Sequence, residues 1–291
     1  MIVQMMDVLN FVKKNIMSVR KVLIAGGDSF TDNHYKSDYH PELDCSWPKW
    51  PEIIAEKLDM DCINLGRSGF GNEYIYSSVL EEILKIKNSK GRYVNAAPQI
   101  GLVMVGWSQC QRMDYQDEFG WHTQIPHNKG NVFGWVRKSL RHYINLQLLC
   151  ERYNIPYKQF QMINLFFNWL IGQTQENGGT PKHYKYPGDA EKDRVKLKQL
   201  MNTYEPYINL DNFIYKARVG TIPGAVADQV IFYPEGEGKV FGDNTQWKEG
   251  AEVNDGTVYK GEELCISKWD DHLNAKGQEK IAEFLYNKLK K

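Results

Sequence analysis

Residues 99–107, QIGLVMVGW, form an almost unbroken apolar run with glycine at positions 101 and 106. A strand of that composition has no polar face to offer water, so it must be covered on both sides. Strands of this kind sit in parallel sheets, whose neighbours are joined by crossovers long enough to hold a helix. The run therefore constrains the whole chain: further strands should alternate with amphipathic helices.

They do through the first half. Residues 21–26 (KVLIAG) read as a first strand, and 51–58 (PEIIAEKL) as a short helix with Pro51 tolerated in its first turn. Residues 61–66 (DCINLG) read as a second strand, and 72–87 as a helix with Ile75, Val79 and Ile83 on one stripe. Val136, Leu140, Ile144 and Leu148 mark a long helix, followed by a fourth strand at 156–164 (PYKQFQMIN). Residues 274–291 close the chain as a helix, with Ile281, Leu285 and Leu289 aligned and lysines in the last turn. The expectation is one doubly wound, three-layer α/β/α domain across residues 1–291, with a parallel sheet of about five strands. Residues 1–16 read as a short amphipathic helical extension. Residues 205–262, polar and glycine-rich, read as a loop or hairpin insertion.

Bulk properties exclude several functions. Thirty-six basic residues balance 36 acidic ones, which argues against a general electrostatic grip on nucleic acid or an anionic membrane. Five cysteines, an odd number without a CxxC pair, fit neither a disulfide framework nor a structural zinc. Reduced thiols and the lack of a convincing signal peptide give a cytoplasmic expectation. His122 and His127 lie in a proline-broken loop with poor spacing for a metal, and no cofactor motif is present.

In an open parallel sheet, ligands bind beyond the carboxyl ends of the strands. GGDSF (26–30), GRSGFGNE (66–73) and GWSQCQR (106–112) fall there, and WDDHLNAKG (269–277) lies just before the last helix. Together they supply a serine, backbone amides and a histidine, the parts of an acyl-transfer site.

GDSF near one end, NLGRSGFGNEYI after the second strand and HLNAKG near the other end resemble the SGNH/GDSL hydrolase superfamily. The stretch SWPKWPEIIAEKL is similar to the branch of such proteins found in bacteriophage genomes, which would place the protein in a host cytoplasm or a virion. The resemblance implies the SGNH hydrolase fold, with a flavodoxin-like strand order and no cofactor or metal. It also implies Ser29 as nucleophile, His272 as general base, and the amides of Ser29 and Gly69 as oxyanion donors. The chain departs from the family pattern twice. Ser108 stands where a GxND asparagine is expected, leaving Ser108, Gln109 or Asn72 to supply the third donor. Asn72 is read first as a helix cap. The acid expected three residues before the histidine is replaced by Trp269; Asp270 could reach the imidazole on a tight turn, with Asp271 facing solvent. Asp28 is expected to fix its own turn through backbone hydrogen bonds.

Arg112 and Arg67 could bind an anionic substrate group or an internal carboxylate. Trp107, Trp121, Trp135 and Tyr115 could line a sugar-sized cleft. The resulting expectation is a serine esterase that removes a small, acetyl-like group, with a small ester or an acylated carbohydrate as partner. Its rivals are a catalytically degenerate phage structural or binding protein on the same fold, and a carbohydrate-binding module. The sequence leaves the oligomeric state open.

Overall fold

A computed structural model describes residues 20–89, 98–124, 130–163, 165, 190–214, 218–219, 222–223, 225–227, 230, 262–267 and 270–290. The helical extension expected at 1–16 lies outside these residues, as does most of the insertion expected at 205–262. Within that insertion, Arg218–Val219 and Ile222–Pro223 pair as a short antiparallel ladder.

Strands β1 (Lys21–Gly26), β2 (Asp61–Asn64), β3 (Gln99–Trp107) and β6 (Tyr157–Gln161) form one parallel sheet in the order β2-β1-β3-β6. About five strands were expected; four are present among the described residues. The fifth place is held by a single parallel bridge from Phe213 to Gln159, with Ile214 N–H donating to the Gln159 carbonyl at 2.8 Å.

Side-chain alternation builds the two buried faces. Val22 and Ile24 of β1 join Val103, Val105 and Trp107 of β3 on one face. Leu23 and Ala25 join Leu102 and Met104 on the other. An irregularity in the β1–β3 register between Val22 and Leu23 leaves Gly101 without a partner in β1. That one-residue shift lets Ile100 and Val103 share a face across an odd step that a regular strand would forbid.

Helices α2 (Asn72–Ser89) and α3 (Val132–Arg152) cover the first face, and α1 (Trp50–Lys57) and α5 (Ala275–Leu289) the second. Helix α4 (Ala190–Tyr204) packs beside α3. On α3 the buried stripe is Val132, Val136, Leu140, Tyr143, Leu146 and Cys150, and Leu148 is 55% exposed. The expected spacing of four overshoots the helical turn by about 40° each step, so Leu148 has rotated out of the stripe.

One element was not anticipated. Strands β4 (Met113–Asp117) and β5 (Gly120–Gln124) form an antiparallel hairpin outside the main sheet. No helix among the described residues is long and apolar enough to cross a membrane.

Candidate active site

The chain leaves β1 into a tight turn. The Asp28 carbonyl accepts from Thr31 N–H at 2.9 Å and Asp32 N–H at 3.0 Å, and Asp28 Oδ1 accepts from Phe30 N–H at 3.2 Å. This is the loop-fixing role expected of Asp28. The turn leaves Ser29 just beyond the sheet, 8% exposed.

Ser29 meets the far end of the chain because α5 is pinned to its turn. The buried Gln278 side chain donates from Nε2 to the Phe30 carbonyl at 3.0 Å and accepts from Trp50 N–H at 2.9 Å. Asn274 caps α5 by accepting from Gly277 N–H at 3.1 Å, and its amide holds the Glu263 and Cys265 carbonyls. The residues before that cap are thereby delivered to the mouth of the sheet.

There, Ser29 Oγ lies 2.8 Å from His272 Nε2, and His272 Nδ1 lies 2.7 Å from Asp270 Oδ1. Asp270 reaches the ring from a reverse turn in which it and Ser267 exchange backbone hydrogen bonds, and His272 N–H donates to Asp270 Oδ1 at 3.1 Å. Asp271 is 73% exposed, with Oδ1 3.9 Å from Nδ1.

Burial acts to raise the Asp270 pKa, but hydrogen bonds from His272 and Ser37 and the imidazole's charge outweigh it and hold the carboxyl below its ordinary value. An ionised carboxylate only accepts, so the Nδ1 atom facing it carries the proton. Nε2 is then the acceptor for the Ser29 hydroxyl, the tautomer a general base needs.

Two supporting residues escaped the sequence reading. Tyr35 donates to Asp270 Oδ2 at 2.9 Å and stacks on the imidazole with centroids 4.3 Å apart. Ser37 donates to the same oxygen. Burial, followed by the Asp270 carboxylate, pushes the Tyr35 pKa up, so its hydroxyl stays a donor. Asp270, Asp271 and His272 could offer three ligand atoms to a cation within 4.8 Å. Both Asp270 oxygens and both imidazole nitrogens already have hydrogen-bond partners, so nothing in the arrangement calls for one.

Beside the serine runs the loop from β2 to α2. Asp32 joins it to the first turn, accepting at Oδ2 from Ser68 N–H at 2.8 Å and Ser68 Oγ at 2.7 Å. Gly69 has φ +83°, a left-handed conformation that suits glycine. The backbone N–H groups of Ser29 and Gly69 engage no acceptor among the described residues.

Four expectations need correction. Asn72 is neither a helix cap nor a free donor. Its Nδ2 donates to the Ser108 carbonyl and to Ser139 Oγ, both at 3.0 Å, and its Oδ1 accepts from Ser108 N–H at 2.8 Å. Both amide hydrogens are thus spent on holding the β3 loop to α3. Ser108 is fully buried beneath that grip, its hydroxyl without a hydrogen-bond partner among the described residues, so it does not face a crevice. Gln109, 8% exposed, accepts from the Gln111 amide at its carbonyl oxygen, a contact that does not use its own NH2 group.

Trp107 is not a cleft residue. It is fully buried, donates to Gln159 Oε1 at 3.0 Å and packs on Tyr143, because its place in β3 points it under α3. Arg112 is turned inward, 16% exposed. Its Nη1 donates to the Phe70 carbonyl at 2.9 Å and lies 3.9 Å from Asp28 Oδ2, so of its two expected roles it takes the internal carboxylate.

No family model and no curated protein matches this chain. Among solved structures it is similar to a "putative lipolytic protein of G-D-S-L family" from Desulfitobacterium hafniense DCB-2, at 12% identity and a TM-score of 0.43, covering 92% of this chain and 99% of that one. It is similar to a "putative SGNH hydrolase" from Slackia heliotrinireducens at 12% identity and TM-score 0.37, covering 94% and 100%. An acetyl xylan esterase from the rumen bacterium Butyrivibrio proteoclasticus matches at 15% identity and TM-score 0.29, over 50% of this chain and 48% of that one. At these TM-scores the likenesses carry no argument about the site; the Ser29–His272–Asp270 line is read from this chain's own geometry. In its strand order, its GDS serine after β1 and its histidine before the last helix, the chain resembles the SGNH/GDSL hydrolase superfamily.

Proposed function

We propose that the protein is a serine esterase that removes a small acyl group through an acyl-enzyme on Ser29. One observation carries the reading: the Ser29 hydroxyl, the His272 imidazole and the Asp270 carboxylate stand in line at 2.8 and 2.7 Å.

In the first half-reaction, Ser29 Oγ attacks the ester carbonyl while His272 Nε2 takes its proton. Negative charge gathers on the carbonyl oxygen, where the Ser29 and Gly69 N–H groups stabilise it. Collapse of the tetrahedral intermediate breaks the bond to the alcohol, which leaves with the proton from Nε2. Water then attacks the acyl-serine with the same base, releasing the acid and restoring the hydroxyl. Asp270 holds the ring's tautomer and orientation and offsets the imidazolium charge throughout.

An acylated carbohydrate is the substrate class we favour. Tyr115 and His122 stack on the hairpin with centroids 5.3 Å apart, and Tyr115 is 48% exposed. Such rings can offer a face to a sugar. A second reading, a binding protein that has lost turnover, is favoured by Asn72 spending both amide hydrogens on Ser108 and Ser139 and by Ser108 being fully buried.

A fluorophosphonate probe tests both. Covalent labelling of the wild-type protein that disappears in Ser29→Ala supports the esterase. A folded wild-type protein that stays unlabelled supports the binding reading instead.

A further inference from the structure

The segment that carries Gly69 is held on one side by Asp32, through the Ser68 N–H and hydroxyl, and on the other by two groups from the root of the β4–β5 hairpin, some forty residues away. Arg112 Nη1 donates to the Phe70 carbonyl at 2.9 Å. The Asp114 carboxylate accepts from Gly71 N–H at 2.9 and 3.1 Å and from Tyr74 N–H at 3.0 Å. The Phe70 carbonyl and the Gly71 N–H belong to one peptide plane. That plane is therefore held at both ends, by a cation on its oxygen and an anion on its hydrogen.

The fit is close. A Cβ on Gly71 would stand 2.5 Å from Arg112 Cβ and 3.1 Å from Asp114 Oδ2, so only glycine lets the hairpin approach this far. The plane lies one residue from Gly69, whose left-handed φ depends on where its neighbours sit. From β5, the Thr123 methyl lies 4.0 Å from where a Gly69 Cβ would be. The same Arg112 nitrogen also lies 3.9 Å from Asp28 Oδ2, a buried oxygen with no hydrogen bond among the described residues, in the residue before Ser29. One guanidinium thus faces both loops whose amides are the oxyanion donors.

We propose that Arg112 and Asp114 are positioning residues that set the Gly69 amide against the Ser29 amide, making the hairpin root part of the catalytic apparatus. This rests on the esterase reading above. A plain helix cap would stabilise α2 without altering turnover. A positioning pair alters the rate of the chemical step, because a misplacement of about 1 Å can cost on the order of a hundredfold.

The test is steady-state hydrolysis of p-nitrophenyl acetate, with the rate of fluorophosphonate labelling, for wild type, Arg112→Ala, Arg112→Lys, Asp114→Ala, Asp114→Asn and the Arg112→Ala/Asp114→Ala double variant. Each alanine variant should lose about ten- to a hundredfold in kcat and in labelling rate, with KM within about twofold and the pH midpoint of kcat/KM unchanged. Arg112→Lys and Asp114→Asn, which keep one donor and one acceptor, should recover part of the loss. The double variant should be little worse than the poorer single one, since both residues hold the same peptide. If Asp114→Ala does not fold, Asp114→Asn and Arg112→Lys carry the comparison, and wild-type kcat in both overturns the proposal. Wild-type kcat in a folded alanine variant overturns it while leaving the esterase standing, as does a double loss equal to the product of the singles. A wild-type protein with neither hydrolysis nor labelling removes the esterase reading and this inference together.

Discussion

The hydroxyl of Tyr35 sits 2.9 Å from Asp270 Oδ2 and 2.9 Å from His272 Nδ1, with its ring stacked on the imidazole. The residue that holds the acid in place thus comes from the loop after Ser29, and it braces both partners of the serine at once. Asp270 therefore has three side chains converging on its two oxygens, from Tyr35, Ser37 and His272.

Tyr35→Phe keeps the stacked ring and deletes only the hydroxyl. Hydrogen bonds to a charged group contribute about 1.5–3 kcal/mol, so kcat/KM for p-nitrophenyl acetate should fall by roughly ten- to a hundredfold if that energy holds the acid in line. Circular dichroism should be unchanged. An unaltered kcat/KM would mean that Ser37 and the Asp270 turn are sufficient without the hydroxyl.

Asp270 and Asp271 should behave very differently. His272→Ala should lower ester turnover by at least about a hundredfold, in line with general-base contributions. Asp270→Asn should lose a comparable factor, because the amide presents the wrong partner to Nδ1. Asp271→Asn should stay within about threefold of wild type, since an exposed charge is screened by water. Steady-state kinetics on the three variants check this, and equal losses from the two aspartates would overturn the assignment of the acid.

Asp270 also makes a pH prediction. Its folded pKa lies below the ordinary value of 3.8, so ionisation of this group favours the folded state. That contribution is complete above the unfolded pKa and is lost as pH falls through the folded one, beginning below about pH 5. The stability difference between wild type and Asp270→Asn should therefore shrink steadily as urea unfolding is repeated from pH 6 toward pH 2. A difference that widens on acidification would show that the carboxyl is not held ionised by its partners.

Trp107 and Asn72 should act on stability. Trp107→Ala removes a fully buried indole and should cost about 3–5 kcal/mol. Asn72→Ala leaves Ser108 N–H without its acceptor in a buried setting, at about 1–3 kcal/mol. Trp107→Phe, the milder change, should lower the denaturation midpoint while leaving KM for a small ester within about twofold. A large rise in KM at preserved stability would return Trp107 to the substrate cleft.

The layered fold was legible because apolar periodicity is a local property. The run at 99–107 and the stripe of Ile75, Val79 and Ile83 required burial whatever lay next to them. The strict four-residue spacing that placed Leu148 on the stripe failed because the helix turn is shorter than four. The hairpin was missed because its partner is not the core: Trp121 packs edge-on against Tyr74, and Asp114 spends its charge on the amides of Gly71 and Tyr74. Nothing within residues 113–124 announces those contacts.

By itself, the sequence determined which residue types were available for acyl transfer and where along the chain they stand, a serine after a buried strand and a histidine before the last helix. Their pairing was decided in three dimensions. Gln278 had to pull the last helix onto the first turn before an oxygen and a nitrogen 243 residues apart could stand within hydrogen-bond reach. The same folding took Asn72, Ser108 and Trp107 out of the crevice and turned Arg112 inward. The direction of a side chain depends on what else is buried around it, and that is a property of the packed whole.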